Sequence, residues 1–213
     1  MDVAGLVAQL RRRFGWEGPA PPGSRRALIL LSGLPGTGKS YLAAAIAARH
    51  AVVIVRSDEV RKALFEHPTY AAEESGVVYR TCHGLLSVLL AQGKTVIFDA
   101  TNLARGSRKV ARRVAREAGA PTLTLLTVAA PEVVAERLRR RAAGELEGFS
   151  SDADWQVYQY MAGTLEAAQH EAGEGVIVDT AQDITPALER VEAFLRAAPS
   201  AYVPAPGGQD GHA

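Results

Sequence analysis

Short runs of consecutive apolar residues recur along the chain at 27–32 (ALILLS), 52–55 (VVIV), 95–98 (TVIF), 122–128 (TLTLLTV) and 176–178 (VIV). Between them the apolar positions fall at helical spacing, over 39–49, 58–66, 74–92, 105–118, 131–143, 153–171 and 184–197. Near-continuous apolar runs predict strands covered on both faces, as in a parallel sheet; a half-exposed strand would alternate. Strand and helix in this order predict an α/β domain: a doubly wound parallel sheet of about five strands with helices on both faces. In such sheets ligands lie at the carboxyl ends of the strands, so the residues just after each run are where chemistry is expected.

Ahead of the first strand, Val3, Leu6, Val7 and Leu10 predict a short amphipathic helix, and the Pro- and Gly-rich stretch EGPAPPGS predicts a linker. The expected organisation is helix and linker over 1–24, one domain over 25–198, and a disordered tail over 199–213. No apolar run approaches the ~18 residues of a membrane span. The basic cluster Arg11–Arg13 follows the apolar part of the N-terminal segment, the reverse of a secretory signal.

The 213 residues are 47% hydrophobic and 22% charged, a globular composition. A net charge of +1 excludes attachment to nucleic acid by bulk charge, so any contact with a polyanion must be local. The lone Cys82 excludes an intramolecular disulfide and a cysteine-rich zinc site. A reducing, cytoplasmic setting is the expectation.

Candidate chemistry begins where the first strand ends. Gly33-Leu34-Pro35-Gly36-Thr37-Gly38-Lys39-Ser40 fits G-x-x-x-x-G-K-[ST], with a strand before it and a helix beginning near Lys39, and Tyr41 is expected with the loop on the nucleotide. Glycines at these positions let backbone N–H groups converge on phosphates at a helix N-terminus. Lys39 is expected to reach the β- and γ-phosphates and Ser40 to ligate Mg²⁺. A nucleoside triphosphate, ATP or another, is the ligand this pattern predicts. Whether its phosphate is transferred depends on other residues.

Asp58 follows the second strand at the start of a helix, with Arg61 three residues on and on the same helix face. Ser57 or Asp58 could serve as the helix N-cap and Asp58–Arg61 as a plain ion pair. Equally, Asp58 could accept the proton of an attacking hydroxyl, with Arg61 orienting it or holding an acceptor's phosphate. Asp99 ends the third strand, the arrangement in which a carboxylate helps to hold Mg²⁺. Asn102, just beyond, either caps the next helix or presents its amide to a substrate.

Residues 105–116 hold six basic residues and no acid, and the basic positions fall within about 140° of a helix. A solvated face explains them. Their position after DATN, at the strands' active edge, equally suits a nucleic acid backbone or an anionic acceptor. Tyr79 and His83 share their helix with Val78, Cys82, Leu85, Leu86 and Leu89 and read as core. Trp155, Tyr158 and Tyr160 are also expected to pack rather than to stack on a base.

The loop GLPGTGKS, the D-x-x-R of Asp58 and Arg61, and DATN followed by Ser107-Arg108 together resemble the P-loop kinases of the polynucleotide 5′-hydroxyl kinase group. Relatives of that group include seryl-tRNA kinases and small-molecule kinases. The resemblance implies a nucleoside-monophosphate-kinase-like fold with a lid, here about 137–155. It implies Asp58 as general base, with Arg61, Asn102 and Arg108 on the acceptor side. Asp99 would belong to the acceptor and metal environment, and Arg141, with Arg137, would act on the transferring phosphate. Arg139 and Arg140 offer alternative registers for the lid arginine, and a helix C-terminus by itself favours such cations. The segment VIVDTAQD resembles the region that borders the nucleotide base. The implied activity is an ATP-dependent kinase acting on a hydroxyl, either a polynucleotide 5′ end or a small molecule such as a sugar, nucleoside or antibiotic. An ATP-hydrolysing switch is a further alternative, although Ala100 stands where a water-activating Glu would follow Asp99.

Overall fold

A computed structural model describes residues 2–21, 23–145, 153–169 and 175–200. Among them five parallel strands form one sheet in the order β2-β3-β1-β4-β5. The strands are β1 Ala27–Ser32, β2 Val52–Arg56, β3 Thr95–Asp99, β4 Thr122–Val128 and β5 Val176–Asp179. Helices α1 Val3–Arg13, α2 Lys39–Ala47, α3 Ser57–Leu64 and α4 Ala72–Ala91 are followed by α5 Arg105–Glu117, α6 Pro131–Ala142, α7 Trp155–Gln169 and α8 Thr185–Ala197. All five expected strands are present, and the expected helices end within a few residues of those observed.

Burial divides the strands as their places in the sheet require. Every residue of β1, at the middle of the sheet, and of β3 beside it is buried between helices, whereas β4 is buried only in part. Alternate β1 side chains serve opposite cores. Leu28 and Leu30 pack with α1, α3, α4 and α5, whereas Ala27, Ile29 and Leu31 pack with α2 and α8. At the outer edge β5 leaves Ile177 exposed. A third cluster, of Leu34, Val134, Leu138 and Tyr158, sets α6 and α7 over the loop that follows β1.

The N-terminal helix lies on α4, not apart from the domain. Asp2 caps it, its side chain accepting from the Ala4 N–H at 3.0 Å, and Val7 and Leu10 join the core cluster of α4. Gly84 makes the approach possible, since a Cβ there would meet Val7 Cγ2 at 2.7 Å. Beyond α8, the Arg26 N–H donates to the Pro199 carbonyl at 3.0 Å and Arg25 Nη1 to Ser200 Oγ at 2.7 Å. The first two residues of the expected tail are therefore tied to the domain. Residues 201–213 of that tail, and residues 146–152 of the expected lid, lie outside the described residues. Among the described residues no helix is long and apolar enough to cross a membrane.

Candidate active site

Register brings the site together. Arg56 at the end of β2 stands beside Asp99 at the end of β3, and β1 releases the chain at Ser32 next to them. The loop leaving β1 turns tightly against β4 and the segment after β5. Gly33 has a φ of +147°, and a Cβ there would come within 2.4 Å of Thr127 Oγ1. Gly38 has a φ of +86°, and its Cβ would lie 2.7 Å from Thr180 Oγ1. Side chains would close this loop, so glycine is required for close approach as well as for the turn. Thr37 Oγ1 pins the loop from within by donating to the Leu34 carbonyl at 2.7 Å.

Lys39 folds back along the loop, its Nζ donating to the carbonyls of Gly33 at 2.9 Å and Leu34 at 2.8 Å. Burial depresses its pKa; Asp99 and Asp58 oppose that, and Arg141 adds to it. Ser40 Oγ donates to Asp99 Oδ2 at 2.8 Å, and Arg56 Nε lies 3.6 Å from the same oxygen. Burial raises the Asp99 carboxyl, while Lys39, Ser40 and Arg56 work against the rise. Asp58 is the second residue of α3, and Arg56, not Ser57 or Asp58, occupies the N-cap. Asp58 lines the same cavity as Lys39, Asp99 and Tyr79.

Lys39, Ser40, Tyr41, Asp58, Arg61, Asp99, Arg137 and Arg141 all line one cavity of about 790 Å³, together with Pro35, Gly36 and Gly38 of the loop. Arg137 Nη1 donates to Thr180 Oγ1 at 2.8 Å and Nη2 to the Thr180 carbonyl at 2.9 Å; the Thr180 hydroxyl passes its own hydrogen to the Thr37 carbonyl. Arg137 thus locks the VIVDTAQD segment to the phosphate loop. Arg141 reaches the Ala153 carbonyl. Of the alternative lid arginines, Arg139 pairs with Glu136 and Arg140 with Glu145, both exposed.

Three expected acceptor-side residues are engaged by the protein's own groups. Arg61 does not pair with Asp58. It is 5% exposed and its Nη1 is bound to Glu74, thirteen residues away, while Nη2 donates to Ser75 Oγ at 3.2 Å. Asn102 is turned inward, with Nδ2 donating to the Leu31 carbonyl at 2.8 Å and the backbone at a φ of +45°. Arg108 is buried as well, its Nη1 donating to the carbonyls of Asn102 and Leu103. These carbonyls compensate a cation near the unfavourable end of α5, and both residues hold the loop after β3. Glu74 had no mark in the sequence, since its partners are assembled only by folding. Tyr79, expected as core, stacks edge-on with Phe98 and also reaches the cavity, its hydroxyl 3.4 Å from Thr101 Oγ1. Trp155 and Tyr158 stack on each other at 4.8 Å within the third cluster, as packing residues do.

A loop of this pattern between β1 and α2, an acid at the end of β3 and the order 2-3-1-4-5 define an α/β domain of the P-loop kinase-like fold. Residues 28–168 match the family described as an AAA domain, AAA_33, and the chain belongs to that family. An uncharacterized protein of Mycobacterium tuberculosis is 31% identical over 166 residues, 72% of this chain and 32% of that protein. The chain thus spans about a third of the length of the curated relatives it matches. Among solved structures, a gluconokinase from Sinorhizobium meliloti 1021 is 22% identical, with a TM-score of 0.55 over 81% of this chain and 93% of that one. A chain of the Pnkp1/Rnl/Hen1 RNA repair complex is 19% identical, with a TM-score of 0.59 over 76% and 51%. Identities this low establish a shared fold.

Proposed function

We propose that the protein is an ATP-dependent phosphotransferase that moves the γ-phosphoryl group to an acceptor hydroxyl. The observation that carries this reading is the presence of Asp58 in the same cavity as Lys39 and the Ser40–Asp99 pair. A carboxylate beside the phosphate loop can take the acceptor's proton as its oxygen bonds to the γ-phosphorus. The bond from that phosphorus to the bridging oxygen breaks, and ADP departs with the electron pair. Lys39, released from the loop carbonyls, neutralises the phosphate oxygens, and Arg141 closes on the γ-phosphate from α6. Arg137, held by Thr180, fixes the loop's shape.

Ser40 and Asp99 are the oxygen donors that suit Mg²⁺, which prefers one or two protein ligands completed by phosphates and water. Among the described residues no group of three or more His, Cys, Asp or Glu could hold a metal, in keeping with a site completed by substrate. When bound there, the ion would offset charge on the transferring phosphate.

For the acceptor, Arg61 engaged by Glu74 and Arg108 turned inward favour a small hydroxylated molecule. A polynucleotide 5′-hydroxyl end is the second reading. It is supported by the exposed Arg105, Lys109, Arg113 and Arg116 along one side of α5, and by the likeness to the RNA repair chain. The test is transfer of label from γ-labelled ATP, with Mg²⁺, to small hydroxylated compounds and to a 5′-hydroxyl oligonucleotide. Label on an acceptor, lost in Asp58→Asn, supports the reading. Label released only as free phosphate, with every acceptor unlabelled, would favour an ATP-hydrolysing switch.

A further inference from the structure

Between α3 and α4, Tyr70 has a φ of +60°, a left-handed conformation that a bulky residue keeps only under constraint. Glu74 supplies the constraint. Its carboxylate accepts from the Thr69 N–H at 2.7 Å, the Thr69 hydroxyl at 2.8 Å and the Tyr70 N–H at 3.2 Å, and it also binds Arg61. The guanidinium carbon of Arg61 in turn lies 4.5 Å from the centre of the Tyr70 ring. A buried, carboxylate-anchored cation therefore supports the ring, which remains 47% exposed and lines the same cavity as Asp58. Backbone strain of this kind gathers at ligand clamps, where the surroundings hold it in place.

Charge narrows the ligand. Of the arginines that line the cavity, Arg56 is matched by Glu59 and Asp99, and Arg61 by Glu74. Asp58 adds a further negative charge. A phosphate or carboxylate beside Asp58 and Tyr70 would find Arg56 and Arg61 already engaged by carboxylates and would meet the repulsion of Asp58.

Resting on the phosphotransferase reading, we propose that Tyr70 is the acceptor platform and that the acceptor is a compact, uncharged ring compound. It lies with a flat face on the Tyr70 ring and one hydroxyl directed to Asp58. A sugar-like ring and a nucleoside share this chemistry. Arg61 and Glu74 are positioning residues that hold the platform.

The experiment uses the full chain with Mg²⁺ and γ-labelled ATP, offering D-glucose, myo-inositol, adenosine, the phosphate esters of each, and a 5′-hydroxyl oligothymidylate. The expected result is label on an uncharged ring compound in preference to its phosphate ester; which compound is labelled separates the sugar-like from the nucleoside source. In Tyr70→Ala the acceptor KM rises roughly 5- to 100-fold, the worth of one aromatic stacking contact, while the KM for ATP stays unchanged. Tyr70→Phe restores the acceptor KM, and Glu74→Gln raises it without moving the KM for ATP. An unchanged acceptor KM in Tyr70→Ala, or preference for a phosphate ester or the oligonucleotide, overturns the platform and leaves the phosphotransferase reading standing. No label on any acceptor overturns that reading and the platform with it.

Discussion

Ser40 Oγ donates to Asp99 Oδ2 across 2.8 Å, joining the first turn of α2 to the last residue of β3. The bond sets two hard oxygen donors side by side at the floor of the cavity and keeps a buried carboxylate from standing alone. Ser40→Ala and Asp99→Asn are each expected to weaken the Mg²⁺ dependence of nucleotide binding by roughly 10- to 100-fold, as the loss of a metal-site partner does. Titration of a fluorescent nucleotide at several Mg²⁺ concentrations measures this. Chelation of the metal should abolish turnover. Binding curves that coincide with wild type at every concentration would remove the pair from the metal site.

Asp58→Asn keeps the size of the side chain and removes its basicity. Turnover is expected to fall by ~10²–10⁴, with nucleotide affinity little changed. Steady-state transfer and equilibrium nucleotide binding, measured on the same preparation, separate the two effects. Transfer at the wild-type rate would exclude Asp58 as the base.

Arg137 and Arg141 should part company kinetically. Arg141→Ala is expected to lower kcat by about 10²–10³, the loss typical of one transition-state donor. Arg137→Ala unties Thr180 from the phosphate loop and should act mainly on the KM for ATP. Identical kcat and KM changes in both variants would show that the lock to Thr180 does not survive nucleotide binding.

Glu74 contributes a pH dependence of stability. Burial pushes its carboxyl upward, but the bonds from Thr69, Arg61 and the Tyr70 N–H outweigh burial and hold it at about 2, against an ordinary value of 4.5. A folded pKa below the unfolded one gives stability that is complete above about 4.5 and is lost as pH falls toward about 2. The Tm of the wild type should therefore drop more steeply over that window than the Tm of Glu74→Gln. Parallel profiles for the two proteins would mean the carboxylate is not so held.

Docking of α1 can be tested through Leu10, which is 1% exposed against α4. Leu10→Ala should destabilise the whole domain by about 2–5 kcal/mol. Chemical denaturation measures it, and a change within error would mean that α1 folds apart from the domain.

The sequence by itself determined the order of elements and the phosphate loop, because both are written in adjacent residues. Short apolar runs bounded by turn residues mark the strands, and Gly33 to Ser40 carry the phosphate-loop pattern in one stretch of chain. Asp58 and Asp99 stand out in the sequence for the same reason, Asp99 closing its strand and Asp58 lying two residues beyond one. Only the tertiary structure decided what the remaining polar side chains face. Arg61 and Asp58 share a helix face, yet Arg61 turns to Glu74, since a buried guanidinium requires a desolvated carboxylate that local spacing could not reveal. Asn102 and Arg108 stand beside the active edge in sequence, but with a left-handed turn at Asn102 both side chains donate to backbone carbonyls, those of Leu31 and Asn102. Tyr70 had no periodicity to mark it. Its conformation depends on hydrogen bonds to a residue on the next helix, and such a constraint exists only once the chain has folded.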